Sequence, residues 1–222
     1  MKRLTYEEVL KKIRNMEDLS GLDLSGFKLE NQNLSLLKLR GTNLAGANLY
    51  GVNFLGADLT GANFEGAYVA VVNFLGANLS GANFKKADLG NTSFKGANLE
   101  GASLEEADLA AGDISLANFK GAILRGARVE AVDGQLVNFE GADLEGANLR
   151  GSSFQLANFR KANLKGANLI QVDLTGAHLE DADLTGADLI EAYLRGTNFT
   201  GAKLDGVRFR GAYFEKTIGF ER

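Results

Sequence analysis

Catalysis and metal binding need groups that move protons, hold cations or attack carbonyl carbons, and this chain supplies few kinds of them. It has one histidine, His178, and no cysteine. A metal site wants several His, Cys or carboxylate ligands at close spacing, and a nucleophile wants a base beside it. His178 instead takes a place otherwise filled, every twentieth residue, by Asn78, Asn98, Asn118, Asn138, Asn158 and Asn198. It reads as a surface substitution in a column of amides. The Asp and Glu residues are spread along the whole chain, as on a solvated surface. Thr60, Thr175, Thr185 and Thr200 are scattered across columns, so they form no matched array for an ice or crystal lattice. No catalytic residue, cofactor or metal is expected.

The elements that position these groups follow from a period of five. Large apolar residues recur at every fifth position from Leu19 to Phe214. Of these forty centres, 24 are Leu and 12 are Phe, so the core is built from two residue types. Two residues before each centre stands a small one, most often Ala. Neither an amphipathic helix nor a simple alternating strand has this period. In extended backbone, residues two apart share a side, so the small residue and the centre point inward. The Asn or Asp between them points outward, and the last two residues, often ending in Gly, turn a corner. The number of sides follows from longer repeats. Gly51 to Ala67 matches Val71 to Ala87 at 12 of 17 positions, offset by 20. Leu116, Leu136 and Leu156 recur by 20, whereas Gly126 and Gly146 lie halfway between them. Four fives therefore make one lap.

The A-[ND]-[LF]-x-G pattern resembles that of the pentapeptide-repeat proteins and covers residues 17–216. The resemblance implies an all-β solenoid, a right-handed quadrilateral β-helix of about ten 20-residue coils. At the usual strand spacing such a rod is roughly 45 Å long. Residues 1–16 differ. Thr5-Tyr6-Glu7-Glu8 is a capping box, and Tyr6, Val9, Leu10, Ile13 and Met16 fall on one helical face. A short helix capping the N-terminal end of the stack is expected, because terminal units of solenoids must cover their cores. Leu22, Phe27 and Leu37 replace Ala within residues 17–40, a looser stretch whose larger side chains suit packing of the first coil against that helix. Glu7, Glu8, Lys11, Lys12 and Arg14 interrupt any signal-peptide core, and no transmembrane run follows. A cytoplasmic protein without membrane contact is expected. Gly134 occupies a centre, so a local bulge or cavity is expected there. Residues 217–222 read as a C-terminal tail. The last coil would show Phe209, Tyr213, Phe214 and Phe220 edge-on, a candidate end for homodimerisation.

Outward charges are mixed on all four sides and total about −6 along the repeats. Some pentapeptide-repeat proteins bind type II topoisomerases by resembling duplex DNA, and the resemblance makes this an alternative function. Duplex DNA over the same length carries roughly 26 negative charges, far more than this rod. Nor is there a basic stripe for binding nucleic acid directly. Apolar columns remain. Leu55, Leu75, Leu116, Leu136 and Leu156 lie on or beside the least charged side, and Tyr50, Tyr68, Val71, Ile170 and Ile190 form a second strip. These mark candidate surfaces for a protein partner. The expected function is a non-enzymatic scaffold that presents rigid flat sides to another protein.

Overall fold

The computed structural model describes residues 4–219. Helix α1 spans Tyr6–Arg14. Thr5 caps it, its hydroxyl accepting from the Glu8 N–H while the Glu8 carboxylate accepts from the Thr5 N–H. Val9 and Ile13 are buried, and Leu10 packs against the same core. The apolar face is narrower than expected. Met16 is 55% exposed because it already occupies a corner with φ 54°, and Tyr6 is also exposed, lying 6.3 Å from the Phe27 ring.

From there the chain winds as a four-sided β-helix. Parallel bridges join each outward residue to the one 20 positions on, without a slip, from Asp23–Asn43 to Asn198–Ile218. Thr217 and Ile218 still keep this register. Every centre from Leu19 to Phe199 is buried, with its small partner beside it through most of the stack. Phenylalanines on opposite sides interdigitate. Phe54, Phe74 and Phe94 stack at about 5 Å, and Phe64 meets Phe74 edge-on at 5.9 Å and 90°. Both are favourable ring geometries.

Most fives with an outward Asn or Asp satisfy their backbone donors in one way. Taking Ala62 to Gly66, the Asn63 N–H donates to the coil before, and Phe64 and Gly66 donate to the coil after. The Ala62 N–H closes the corner onto Leu59. The fifth donor, the Glu65 N–H, is accepted by the Asn63 side chain at 3.1 Å. The absence of proline thus has three causes: ladder bonds, the corner bond and this side-chain cap.

The corner residue ending each five has positive φ. Glycine fills most of these corners, and the rest are filled by residues that carry a Cβ, such as Lys86, Ala111 and Leu116. Gly134 does not produce the expected bulge or cavity. The bridges on either side of it are regular. A Cβ there would lie 2.5 Å from the Phe154 ring, which has moved into the vacated volume. No helix among the described residues is long and apolar enough to cross a membrane.

Candidate interaction surface

The columns expected to be apolar and outward divide into those that are open and those that are not. Leu116, Leu136 and Leu156 are 55%, 49% and 55% exposed, and Leu75 is exposed too. Leu55 is half-buried. The second strip is not continuous. Tyr50 and Tyr68 stack at 6.1 Å, with Val71 beside them, but Ile170 and Ile190 are half-buried and lie several coils away. Glu130 and Arg150 occupy the same column in between.

Leu116, Leu136 and Leu156 have φ 61°, 59° and 58°. A side chain with a Cβ in this region costs about 1–2 kcal/mol, which is why glycine holds most corners. The leucines lean along the rod. A Cβ added to Gly176 would sit 2.7 Å from Leu156 Cδ2, so the glycine beyond the last leucine leaves room for it. Leu36, in the same column, leans onto Gly56 in the same way and is 69% exposed. Sequence reasoning passed over Leu36, although its register with Leu116 was the available signal. Ile123, Tyr193 and Ile218 are further exposed apolar residues that it missed.

Beside the leucine corner runs the outward column Asp113, Asp133, Ser153 and Asp173. Each Asp Oδ1 caps its own corner, accepting from the N–H of Ser115 at 2.9 Å, Gln135 at 3.2 Å and Thr175 at 2.9 Å. Gln155 Nε2 also donates to Asp173 Oδ2 at 2.6 Å. Burial pushes the Asp173 carboxyl up, but the bonds from Gln155 and Thr175 outweigh it and hold the group below its ordinary value.

Elsewhere carboxylates are paired with cations one coil away, such as Glu105 with Lys85 at 3.1 Å and Glu140 with Lys120 at 3.3 Å. Asp183 lies between Lys203 and Lys165 at 3.2 and 3.4 Å. The Thr185 hydroxyl, the Thr185 N–H and the two lysines hold it well below the usual carboxylate range, against the opposing effect of burial. His178 interrupts the ladder in which Asn98, Asn118, Asn138 and Asn158 each donate to the amide one coil before. Its Nδ1 lies 3.1 Å from Arg160 Nη2 and 3.2 Å from Glu180 Oε1. Glu180 Oε1 then takes the Asn198 amide at 2.9 Å, so the column continues around the substitution. Among the described residues no group of three or more His, Asp or Glu is placed to hold a metal ion.

At the far end Phe209 and Phe214 are partly buried against the core, 5.5 Å apart. Tyr213 is exposed and stacks on Tyr193 at 5.1 Å. Phe220 lies outside the described residues.

Comparison with known proteins agrees with this geometry. The family model described as pentapeptide repeats matches in eight copies, covering residues 33–66, 73–110 and, in overlapping copies, 113–215. No curated protein matches the chain. Among solved structures, it resembles HetL, described as a pentapeptide repeat protein involved in heterocyst differentiation regulation, from the cyanobacterium Nostoc sp. strain PCC 7120. That likeness has 29% identity and a TM-score of 0.64, over 95% of this chain and 94% of HetL. It also resembles a trypsin-treated point variant of QnrB1, described as a plasmid-mediated fluoroquinolone resistance protein, with 19% identity and a TM-score of 0.55, over 86% of this chain and 90% of QnrB1. The handedness is that of these neighbours, a right-handed β-helix. Repeat, register and neighbours agree: the chain belongs to the pentapeptide-repeat family.

Proposed function

We propose that the protein is a non-enzymatic scaffold whose rigid sides bind another protein, with the corner leucines at the centre of the contact. The observation that carries this reading is the conformation of Leu116, Leu136 and Leu156. They occupy left-handed corners that favour glycine, yet about half of each side chain stays open to solvent. Folding alone gives little reason for that combination, whereas a binding surface does. A preformed ladder also binds without the cost of ordering itself. HetL, a regulatory protein of the same fold at 29% identity, is consistent with action through binding.

The test is capture of partners from the native host with the double variant Leu116→Lys, Leu136→Lys. Lys86 and Lys161 already occupy left-handed corners of this chain, so the variant fits the fold. Capture should be lost while the melting temperature stays within a few degrees. Unaltered capture would refute this surface. Type II topoisomerase binding by DNA mimicry is the weaker reading. The likeness to QnrB1 at 19% identity is one of fold, and paired cations offset many of the carboxylates. No effect on gyrase supercoiling or on its quinolone sensitivity at tens-of-micromolar concentrations removes it.

The C-terminal coil is proposed as a homodimer contact. Phe209 and Phe214 are only partly buried there and Tyr213 is exposed, so a second copy packed against them would cover apolar surface. A monomer in sedimentation at high concentration would exclude it.

A further inference from the structure

Resting on the reading above, we propose that the leucine corner binds one kind of partner element: an amphipathic α-helix lying lengthwise along the rod, apolar against the leucines and with Lys or Arg along the flank facing Asp113, Asp133 and Asp173. Two independent features point to it, one of charge and one of spacing.

The charge of Asp113 and Asp133 is surplus to folding, whereas Asp173 also accepts a bond from Gln155. In the same column Asn53 and Asn73 cap their corners through Oδ1 as the aspartates do, and they continue the amide ladder as well. Asparagine would therefore keep the corner cap, yet Asp stands at three of four consecutive positions beside the leucines. None of the three pairs with Lys or Arg among the described residues, whereas Glu105, Asp108, Glu140 and Glu180 on the other sides all do. Between Lys95 and Arg195 this side carries no cation at all. An apolar ridge flanked by uncompensated negative charge is complementary to an apolar stripe flanked by positive charge.

The spacing selects a helix. Coils repeat at about 4.8 Å, so three leucines span about 9.6 Å along the axis. A helix places side chains on one face about every 5.4 Å, a mismatch of about 1.2 Å over the three contacts. A strand laid the same way repeats about every 6.8 Å on one face and drifts by about 4 Å. Anchors at i, i+3 or i+4, and i+7 can therefore seat on all three leucines at once. The chain's own α1 is not available for this, since Val9 and Ile13 are buried in its own core.

The probe is a pair of 18-residue helical peptides with the same leucine stripe, one with Lys on the flank and one with Glu. Binding to the full chain is read by fluorescence anisotropy. The Lys peptide should bind about tenfold or more tightly than the Glu peptide at low salt, and the gap should narrow as salt rises. The triple variant Asp113→Asn, Asp133→Asn, Asp173→Asn should erase the preference while the melting temperature falls by no more than a few degrees, through the lost Gln155–Asp173 bond. The variant Leu116→Gly, Leu136→Gly, Leu156→Gly should lose both peptides. Equal binding of the two peptides, or a preference that survives the asparagine variant, overturns the basic-helix assignment. It leaves the broader reading to its own capture test. Binding of neither peptide at hundreds of micromolar overturns the helix proposal. Self-association removed by the glycine variant assigns the ridge to a second copy and overturns it too.

Discussion

An outward Asn does two jobs at once, and Asn118 displays both. Its Oδ1 accepts the Lys120 N–H at 3.2 Å and the Asn138 amide at 3.0 Å, while its own Nδ2 donates to Asn98 at 3.0 Å. Asn118→Ala should cost about 2–3 kcal/mol, since it removes the corner cap and cuts the ladder. Asn118→Asp keeps the acceptor and should cost about 1 kcal/mol; thermal melts of the two variants separate cap from ladder. Equal losses would show that the cap contributes nothing. The corner leucines follow the opposite logic. Leu136→Gly relieves about 1–2 kcal/mol of left-handed strain and gives up about 1 kcal/mol of partial burial plus some chain entropy. Its melting temperature should shift by no more than a few degrees. The outward direction of Asn118 was legible from spacing alone. Its bonding was not, because donor and acceptor lie 20 residues apart and their alignment depends on coil geometry. The leucine column was legible as a recurrence by 20, but its backbone conformation and its open half were not.

At the scale of the corner and the coil, hydroxyls and ring positions matter more than the repeat pattern suggests. Thr92 and Ser152 each insert a hydroxyl into the corner of the coil before. Thr92 Oγ1 accepts from the Val72 N–H at 3.3 Å and donates to the Val69 carbonyl at 2.6 Å. Ser152 joins Val132 and Val129 in the same way. Ordinary corners close by a direct bond, as Ala62 does onto Leu59. Thr92→Val keeps the shape and leaves both backbone groups without this partner, so it should lower stability by about 1–3 kcal/mol in denaturant melts. A neutral result would mean that the corner recloses on itself. Gly134 carries the complementary prediction. Gly134→Ala drives a methyl into the Phe154 ring and towards the Ser153 carbonyl, 3.2 Å from the added carbon, and should cost about 1–3 kcal/mol. The sequence marked position 134 as irregular. It did not show that a phenylalanine from the next coil closes the gap, since ring placement is decided by neighbours 20 residues away.

A solenoid in which each coil touches only its neighbours has no single core to fail at once, so stability is local along the rod. The N-terminal end is covered by α1, whereas Leu204, Val207 and Phe209 at the other end are only partly buried. The carboxyls of Glu17, Asp18, Glu130, Asp173, Glu180 and Asp183 are held below their ordinary values, and four of the six lie in the C-terminal half. Arg128 and Asn148 do this for Glu130. At Glu180, burial acts in the opposite direction and is outweighed by its own N–H, Arg160 and His178. A carboxyl with a depressed native value takes up its proton more readily in the unfolded chain, so lowering pH favours unfolding. The stabilisation is fully present above the unfolded carboxylate values near about 4 and is lost as pH falls through the lower native ones. Acid should therefore loosen the open C-terminal coils before those under the helix. Hydrogen exchange, corrected for intrinsic rates, should show protection at about pH 3 falling first between about residues 160 and 215 and persisting near Leu24 to Phe64. Loss beginning under α1, or spread evenly along the rod, would show that the charged pairs do not set the order in which the coils come apart.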